Sequence, residues 1–502
     1  MKLNLSNNEN KVILLAVICY ILIYLMFFPS MYVSIDEHEY AKNAVLFSEG
    51  KLGVQEPEYA CRSDLLNSNG YVSKYFPGKS FFLIPFTFFG INAIMLSGLL
   101  VHLANFLLLI LILKKLKVNK IFSLLYLFLP VMLWSSRTLY PELLVLTGFL
   151  AGTLFFIESK KRDWLISGFF FSLAVLVRYD AIFGLLAFLI PCLLKKNWSK
   201  AIYFALGAVP VGIVILIFNT FAYSGAFNTG TYSGLGLVAS LLFSERGLIE
   251  GFFSRYFADL IIYSLILLAM YPLMLISPFI SKKFSLKQEF ALIIIAYLIL
   301  NARFTEFFAF AFSIESTFVA RLRYLIPLIG LLIIPYSVLL DNFIKENKIV
   351  IPKIILAIGF IALILGTGFM SMKHSELVNT RANVLTAIQE GIPEDSLVIG
   401  SSDDCIYFQK EIFENKKYLN IDFEQGLAGN PENLEIEQFI SNDTYVMELY
   451  YGNRVNRDSI RQGTVNAERQ KIVDFINENE SNLELIHEDL EGNTLRIYRW
   501  IQ

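Results

Sequence analysis

The sequence predicts an α-helical polytopic membrane bundle of about eleven spans, followed by a C-terminal soluble α/β domain. Hydrophobic residues make up 55% of the 502 residues and charged residues only 17%, whereas a soluble chain carries roughly 25% charged residues. The 45 Phe and 25 Tyr agree, because aromatic side chains suit lipid and its interfaces. This composition argues against a soluble enzyme, a disordered chain and a nucleic-acid-binding protein.

The charge divides the chain into two parts near Lys373. From that residue onward there are 12 Lys and Arg against 24 Asp and Glu, a net charge of −12. The remaining 30 and 20 give the preceding part a net charge of +10. We therefore predict a transmembrane module over 1–372 and an acidic extracytoplasmic α/β domain over 373–502.

Apolar runs of the length that a membrane helix needs, about 20 residues, recur up to residue 372. They predict spans near 11–31, 92–113, 119–136, 141–157, 164–178, 180–194, 201–221, 257–280, 289–303, 323–343 and 353–372. Residues 79–90 are apolar but short, which predicts a re-entrant or interfacial helix. The first span has no small-residue cleavage site after it, so we expect an uncleaved anchor.

Lysine and arginine clusters occur in alternate short loops and predict the orientation. The clusters are Lys114, Lys115, Lys117 and Lys120; Lys160, Lys161 and Arg162; Lys195, Lys196 and Lys200; Lys282, Lys283 and Lys287; and Lys345, Lys348 and Lys353. By the positive-inside rule these loops are cytoplasmic. The N-terminus is then cytoplasmic and the C-terminal domain extracytoplasmic, with outer loops over 32–90, 222–256 and 304–322.

The C-terminal domain carries both helical and strand patterns. Residues 377–390 have helical character, and strands are predicted at Ser396–Gly400, Tyr445–Tyr450, Leu483–His487 and Leu495–Trp500. The last two strands bracket a turn that suits a hairpin. Cys19 and Cys192 lie in apolar runs as small core residues, whereas Cys61 and Cys405 could form a disulfide outside the cytoplasm.

An acidic motif follows the first predicted span. Asp36, Glu37, His38 and Glu39 stand in consecutive positions at the membrane edge. A partly shielded carboxylate here could act as a general base. The alternative is a solvated helix start, with Ser34 as the cap and the acids at the positive end of the helix dipole.

Two lysines, Lys74 and Lys79, flank a Pro-Gly turn at the outer face, against the positive-inside bias. Lysine is a good phosphate ligand, but a lysine pair can also extend to lipid head groups. Arg321 and Arg323 begin a late span from the outside, against both the topology rule and the helix dipole. An anionic ligand would account for these arginines, and neutralisation by Glu306 and Glu315 is the alternative.

Two further acids lie at span ends. Glu142 follows Pro141 in the first turn of a helix, a normal place for an acid, yet an acid at this depth is costly unless it is used. Arg178 and Asp180 flank a turn between two spans, where they can pair with each other.

Several of these motifs together resemble the GT-C membrane glycosyltransferases. The run Ile35 to Ala41 resembles their acidic motif after the first span, especially in the branch of protein O-mannosyltransferases and lipid A aminoarabinose transferases. The segments Lys74 to Gly78, Tyr140 to Glu142 and Arg323 to Pro327 resemble that branch's lysine-proline segment, second-loop acid and late-span motif. The resemblance covers about residues 11–345, with the same motif order and loop side.

The resemblance implies a GT-C type bundle and inverting transfer of a sugar from a polyprenyl- or dolichyl-phosphate donor. The acceptor would be a protein, lipid or glycan on the outer side of the bilayer. It implies Asp36 as the general base, with Glu37 as its neighbour. Lys74 and Arg323, together with Arg321, would hold the donor phosphate. The residues that would support the site or bind the acceptor are Glu142, Tyr40, Tyr324 and Arg178.

The chain also departs from the family pattern. Phe76 stands where a second proline is frequent, Glu142 stands where many members have Asp, and the C-terminal domain matches no domain that we can name. The need for a divalent cation is open, because at most two of the adjacent residues Asp36 to Glu39 could face one ion. The sequence predicts no cofactor, and a divalent cation is the alternative left open.

Three other functions compete with a transferase. A lipid-linked glycan flippase or transporter also has many spans and buried charges, but tends to show internal repeats and charges at mid-membrane. A glycan ligase or polymerase also uses outer loops and arginines. A non-catalytic relative would use the outer domain to bind a partner, and the intact set of Asp36, Lys74 and Arg323 argues against it.

Overall fold

The computed structural model describes most of the bundle and part of the C-terminal domain. The described residues are 5–55, 64–67, 70–230, 261, 264–265, 267, 273–281, 284–304, 322–346, 351–400, 417–420, 440–441, 443–451, 472, 474–489 and 493–501. Some predicted features lie outside them: Cys61, Cys405, Glu306, Glu315, Arg321, most of the span near 257–280 and the turn at 491–492.

The described part of the chain is mainly helical, as predicted. Its α-helices are α1 (Leu5–Met26), α2 (Ile35–Ser48), α3 (Pro77–Thr87), α4 (Ile91–Lys115), α5 (Leu124–Leu127), α6 (Pro130–Ser136), α7 (Glu142–Phe156), α8 (Lys161–Val177), α9 (Ile182–Leu194), α10 (Trp198–Tyr223), α11 (Ser277–Ile280), α12 (Lys287–Phe304), α13 (Ile326–Glu346) and α14 (Ile351–Gly391). Four described segments are long and apolar enough to cross a membrane: Glu9–Met26, Ile91–Lys115, Trp198–Tyr223 and Leu322–Lys345. The total of eleven spans stays a prediction.

The span predicted near 119–136 is not one helix. It consists of a 3₁₀ helix at Lys120–Ser123 followed by α5 and α6. Pro130 is the first residue of α6, and Leu129 before it is extended. Proline lacks an N–H group and disfavours the α conformation of the preceding residue, so the helix is interrupted here.

The last predicted span, near 353–372, and the helix predicted over 377–390 form one continuous element, α14. Its 41 residues correspond to a length of about 60 Å. The helix therefore runs across residue 373, where the charge composition changes, and connects the bundle to the C-terminal sheet.

The C-terminal part of the chain contains five strands: β3 (Leu397–Gly400), β4 (Lys417–Asn420), β5 (Thr444–Tyr451), β6 (Leu483–Asp489) and β7 (Asn493–Trp500). They form one mixed sheet with the order β4-β3-β5-β7-β6. β3 pairs in parallel with β4 and β5, whereas β5–β7 and β6–β7 are antiparallel. The four predicted strands are confirmed. The sheet, with α14 packed against one face, has the predicted α/β class.

The sheet packs against two loop segments of the bundle, one ahead of α2 and one ahead of α3. One face, with Val398 and Ile497, shares an apolar cluster with Val384 of α14 and with Met31 and Val33 ahead of α2. The other face contacts Tyr71 of the hairpin β1 (Asp64–Asn67) and β2 (Gly70–Ser73). The domain thereby supports the start of α2 and the segment that leads to Lys74.

Helices α8 and α10 approach each other at two glycines. A Cβ atom on Gly168 would lie 1.8 Å from the Phe204 carbonyl oxygen, and one on Gly207 would lie 1.9 Å from that of Leu165. Small residues permit such close packing between membrane helices. The pair fixes α8, which ends beside Arg178, against α10, which ends at Tyr223.

Several lysine-rich loops lie together at one end of the bundle, here named the Lys195 end. Lys115 pairs with Glu158, Lys200 Nζ donates to the Phe156 carbonyl at 2.9 Å, and Lys195 Nζ lies 3.2 Å from Glu289 Oε1. These contacts join the loops that follow α4, α7 and α9 to the start of α12. Such clustering is what a shared cytoplasmic face requires.

Candidate functional site

A cavity of about 160 Å³ lies at the opposite end of the bundle, here named the Asp36 end. Segments from five parts of the chain form its wall: α2, the segment after β2, the start of α7, the end of α8 and the 3₁₀ helix Leu322–Leu325. The lining residues are Asp36, Tyr40, Lys74, Tyr75, Phe76, Pro141, Glu142, Arg178, Arg323 and Tyr324.

Asp36 is held in the first turn of α2 by two partners. Its Oδ2 lies 2.9 Å from Arg323 Nη2, and its Oδ1 accepts a hydrogen bond of 2.5 Å from the Tyr75 hydroxyl. Ser34 caps the helix, accepting from the Glu37 N–H at 3.4 Å. The carboxylate is thus fixed at the positive end of a helix and faces the cavity.

The acidic motif is buried, and the alternative of a solvated helix start is wrong about exposure although right about the Ser34 cap. Glu37, His38 and Glu39 all have side chains out of contact with solvent. Lys42 Nζ donates to Glu39 Oε1 at 2.8 Å, and His38 Nδ1 lies 3.5 Å from the same oxygen. Burial would raise the pKa of Glu39, but Lys42 and His38 hold it well below its usual range.

Glu37 lies behind the cavity rather than in its wall. Its Oε2 accepts from the Val33 N–H at 3.3 Å, on the side where Val33 packs against the C-terminal domain. Burial raises the pKa of Glu37 to about 8. The side chain is therefore mostly protonated at neutral pH, so Asp36 has no ionised neighbour at this position.

The segment that carries Lys74 and Tyr75 is fixed by α10 and α8. The Tyr223 hydroxyl donates to the Ser73 carbonyl at 3.0 Å and to the Tyr75 carbonyl at 3.3 Å. A Cβ on Gly230 would lie 2.2 Å from Lys74 Cα, so the chain after α10 packs directly on Lys74. The Lys74 ammonium lies 5.8 Å from the Tyr75 ring centroid.

Lys79 does not extend to the membrane surface. It is buried in the first turns of α3, and its ammonium lies 5.5 Å from the centroid of the Phe82 ring. The interpretation of Lys74 and Lys79 as a pair that reaches lipid head groups is therefore wrong for Lys79.

Arg323 is held between two tyrosine rings. Its guanidinium carbon lies 4.3 Å from the centroid of Tyr140 and 4.7 Å from that of Tyr324. Its Nη2 also donates to the Tyr324 hydroxyl at 2.7 Å. Stacked rings and a single carboxylate orient the guanidinium and leave donors of its fork for an anion.

Arg178 joins two acids at the next position along the wall. Its Nη1 donates to Glu142 Oε1 at 2.9 Å, and its Nε and Nη2 donate to the two Asp180 oxygens at 3.0 Å each. The predicted pairing of Arg178 with Asp180 is confirmed. The contact with Glu142 shows that the charges of two loops form one network.

The structure brings most of the predicted site residues to one cavity. Asp36, Tyr40, Lys74, Glu142, Arg178, Arg323 and Tyr324 line it. Glu37 does not line it, and Arg321 lies outside the described residues. Tyr75 was missed, although it stands next to Lys74, because a hydroxyl that fixes a carboxylate 39 positions away has no local sequence signal.

The described residues do not fit a metal ion. Within the described ranges, no group of three or more His, Cys, Asp and Glu side chains is close enough to hold one. The acids of α2 have separate partners, with Asp36 on Arg323 and Glu39 on Lys42.

No model of a known protein family matches the chain, and no curated protein matches it. Solved structures do. The crystal structure of ArnT from Cupriavidus metallidurans bound to undecaprenyl phosphate matches with a TM-score of 0.60 and 9% identity, covering 97% of this chain and 98% of that chain. Its apo structure matches with a TM-score of 0.61 and 12% identity, covering 98% of each chain. ArnT is a lipid A aminoarabinose transferase, so the GT-C type fold predicted from the motifs is confirmed.

Proposed function

We propose that the protein is an integral membrane glycosyltransferase. It transfers a sugar from a polyprenyl- or dolichyl-phosphate donor to an acceptor on the outer side of the membrane, with inversion at the sugar carbon. The fold shared with ArnT supports the class, and undecaprenyl phosphate bound to that protein supports a polyprenyl-phosphate partner here.

The observation that carries the proposal is the position of Asp36. A carboxylate, a guanidinium and a phenol hydroxyl meet within hydrogen-bond distance in the wall of a cavity that Lys74 also lines. A transfer from a sugar phosphate needs one group that takes a proton and another that stabilises the departing phosphate. The cavity supplies both kinds of group.

The proposed reaction is a single displacement. The acceptor hydroxyl or amine attacks the anomeric carbon, and Asp36 takes the proton that the acceptor loses. The bond between the anomeric carbon and the phosphate oxygen breaks, and lipid phosphate leaves with the electron pair. Lys74 and Arg323, with Arg321 on the same segment, balance the negative charge that develops on this oxygen.

The ion pair between Asp36 and Arg323 suggests how the base becomes active. While Arg323 contacts Asp36, the ion pair occupies the carboxylate oxygen Oδ2 that would take the proton. A donor phosphate that enters beside Lys74 competes for the same guanidinium. Arg323 then binds the phosphate instead of Asp36, so Asp36 is free to accept a proton only when donor is bound.

The remaining residues have supporting roles in this proposal. Glu37, mostly protonated at neutral pH, keeps a second negative charge away from Asp36. Arg178 is occupied by Glu142 and Asp180, and its guanidinium carbon lies 5.0 Å from the Tyr324 ring centroid. It therefore positions the wall, while Tyr40 and Tyr324, which also line the cavity, can contact acceptor or sugar.

The orientation is part of the proposal. The lysine-rich loops at the Lys195 end are assigned to the cytoplasm by the positive-inside rule. The Asp36 cavity and the C-terminal domain then lie outside, where lipid-linked sugars and the acceptors of the cell envelope meet. Because the domain packs on Val33 and Tyr71, we assign it to acceptor selection next to the cavity.

A transfer assay tests the proposal. Purified protein is incubated with a panel of polyprenyl-phosphate sugars and membrane extract, and wild type is compared with Asp36→Asn. Glu49→Gln, at the far end of the same helix, is the matched control. We expect donor-dependent product from wild type and from Glu49→Gln, with the opposite anomeric configuration to the donor.

Three results would contradict the proposal. Equal product from wild type and a folded Asp36→Asn variant would remove Asp36 from the chemistry. Saturable donor binding without turnover of any sugar would favour a lipid-linked glycan flippase. A product longer by a whole glycan block would favour the ligase or polymerase alternative.

A further inference from the structure

A second cavity, of about 240 Å³, lies at the Lys195 end. It is formed by the end of α7, the turn between α9 and α10, and the start of α12. Its lining includes Phe156, Lys195, Asn197, Lys200 and Glu289. The proposed transfer reaction does not use any of them.

Two ammonium groups are held at this cavity. Lys195 Nζ lies 3.2 Å from Glu289 Oε1. Lys200 Nζ donates to the Phe156 carbonyl at 2.9 Å and lies 3.5 Å from the centroid of the Phe156 ring. Each ammonium has three N–H donors, so donors remain for an anion. A pair of lysines in one concave wall suits a phosphate.

The wall also contains a carboxylate with spare capacity. Glu289 is 3% exposed, and its Oε2 has no hydrogen-bond partner among the described residues. A buried carboxylate oxygen is costly unless it accepts a hydrogen bond. The wall therefore suits a ligand with an N–H donor as well as a phosphate.

The surroundings of the cavity are those of a membrane interface. Leu194, which ends α9, is 74% exposed, and Trp198, which begins α10, is 59% exposed. The two residues flank the turn that contributes Lys195 and Asn197. Exposed tryptophan and leucine beside lysines are typical of the boundary between acyl chains and head groups. A ligand here can place apolar chains along these residues while its polar part enters the cavity.

We propose that this cavity binds a phospholipid whose head group combines a phosphate with a primary ammonium, as in phosphatidylethanolamine. The phosphate contacts Lys195 and Lys200, and the ammonium donates to Glu289. Binding is non-covalent. A choline head group carries the same charges but lacks an N–H donor, and a glycerol head group carries no positive charge to face Glu289, so both fit less well.

The test measures lipid binding to delipidated full-length protein in detergent, by native mass spectrometry and by the shift in thermal midpoint. The lipids share their acyl chains and differ in head group: ethanolamine, choline or glycerol. We expect the ethanolamine lipid to bind most tightly, by about tenfold over choline, or about 1.4 kcal/mol. Glu289→Gln should remove this preference, and Lys195→Ala should weaken all three lipids.

Lys196→Ala is the matched control, since Lys196 is adjacent but does not line the cavity. Water-soluble glycerophosphoethanolamine and inorganic phosphate separate a lipid site from a site for a free phosphate. Binding of either as tight as that of the lipid would overturn the lipid assignment. Equal binding of ethanolamine and choline lipids, or an ethanolamine preference that survives in Glu289→Gln, would overturn the head-group assignment.

Discussion

The two ends of the bundle carry positive charge for different reasons. At the Asp36 end, Arg323 and Arg178 contact acids and tyrosine rings within a closed network. At the Lys195 end, Lys195 follows α9 and Lys115 ends α4, and each of them pairs with one acid. The Arg323 side chain is 14% exposed, whereas that of Lys195 is 48% exposed. A buried arginine therefore marks the candidate catalytic site, whereas exposed lysines indicate orientation first.

The physical basis is the cost of removing a charge from water. An exposed lysine keeps most of its hydration, so a cluster of such residues is tolerated without a specific partner. A buried guanidinium requires a carboxylate, an aromatic ring or an anionic ligand. Arg323, in the 3₁₀ helix ahead of α13, therefore indicates a candidate site, while the loop lysines indicate orientation first.

The largest expected difference between the two ends is in catalysis. Arg323→Ala removes the proposed phosphate ligand and leaves Asp36 without the guanidinium it pairs with, so kcat/KM for transfer should fall by about 10²- to 10³-fold. Lys195→Ala removes an ion pair at the other end and should leave transfer within about twofold. Both variants are compared in the transfer assay under identical lipid conditions.

A fall of similar size in both variants would break this comparison. Arg323→Lys adds a second check, because it keeps the charge but not the planar fork. We expect it to recover part of the lost activity through phosphate attraction. Full recovery would show that stacking on Tyr140 and Tyr324 is unimportant.

The next effect is on stability and concerns the helices that connect the ends. Gly168→Ala places a methyl group 1.8 Å from the Phe204 carbonyl oxygen, so α8 and α10 must separate, at a cost of about 1–3 kcal/mol. Gly212→Ala, in the same helix pair, meets no atom within 4 Å and is the matched control. Thermal unfolding in one detergent measures both.

Because α8 leads to Arg178 and α10 begins beside Lys200, Gly168→Ala should also weaken both transfer and lipid binding. An unchanged thermal midpoint for Gly168→Ala would contradict the close packing of α8 on α10. A loss of stability in Gly212→Ala equal to that in Gly168→Ala would show that helix propensity, rather than the contact, is responsible.

A smaller effect is expected from pH at the Asp36 end. The pKa of Glu37 rises from 4.5 to about 8 on folding, so the folded state binds the proton more tightly than the unfolded state. Its contribution to stability is fully present below about 4.5 and is lost as the pH rises through 8. The thermal midpoint of wild type should therefore fall between pH 7 and 9.

Glu37→Gln keeps the shape of the protonated acid and cannot ionise. Its thermal midpoint should change less over this range, and the two proteins should differ most at pH 9. Parallel pH profiles for wild type and Glu37→Gln would show that another group causes the loss. Glu49→Gln again serves as the control, since Glu49 is exposed and its ion pair among the described residues is with Lys51.

Local patterns predicted the elements better than their contacts. The start of α2 at Ser34, the short helix α3 and the strands β3, β5, β6 and β7 follow from capping, proline placement and alternation. Pro130 also indicates an interruption of the helix, but the apolar run over 119–136 led to the prediction of a single span. Hydropathy detects burial in lipid and does not register a missing N–H group.

The site was predicted as a set of residues and not as a network. Lys74 and Arg323 were found because their positive charges oppose the positive-inside bias, and Asp36 was found because it begins a run of acids directly after the first predicted span. The contacts Tyr75–Asp36 and Arg178–Glu142 join residues 39 and 36 positions apart, and no local pattern specifies such pairs. The burial of α2 depends likewise on α3 and the C-terminal domain, which only the fold brings to it.

In the proposed reaction, Asp36 acts as a base that the donor phosphate releases from Arg323. Measurements of donor affinity and of the single-turnover rate for wild type and Asp36→Asn test this role directly. We expect the rate of Asp36→Asn to be lower by about 10²- to 10⁴-fold. We expect its donor binding to be equal or tighter, because Arg323 no longer pairs with a carboxylate. Donor affinity that falls in parallel with the rate would contradict it and make Asp36 a binding residue.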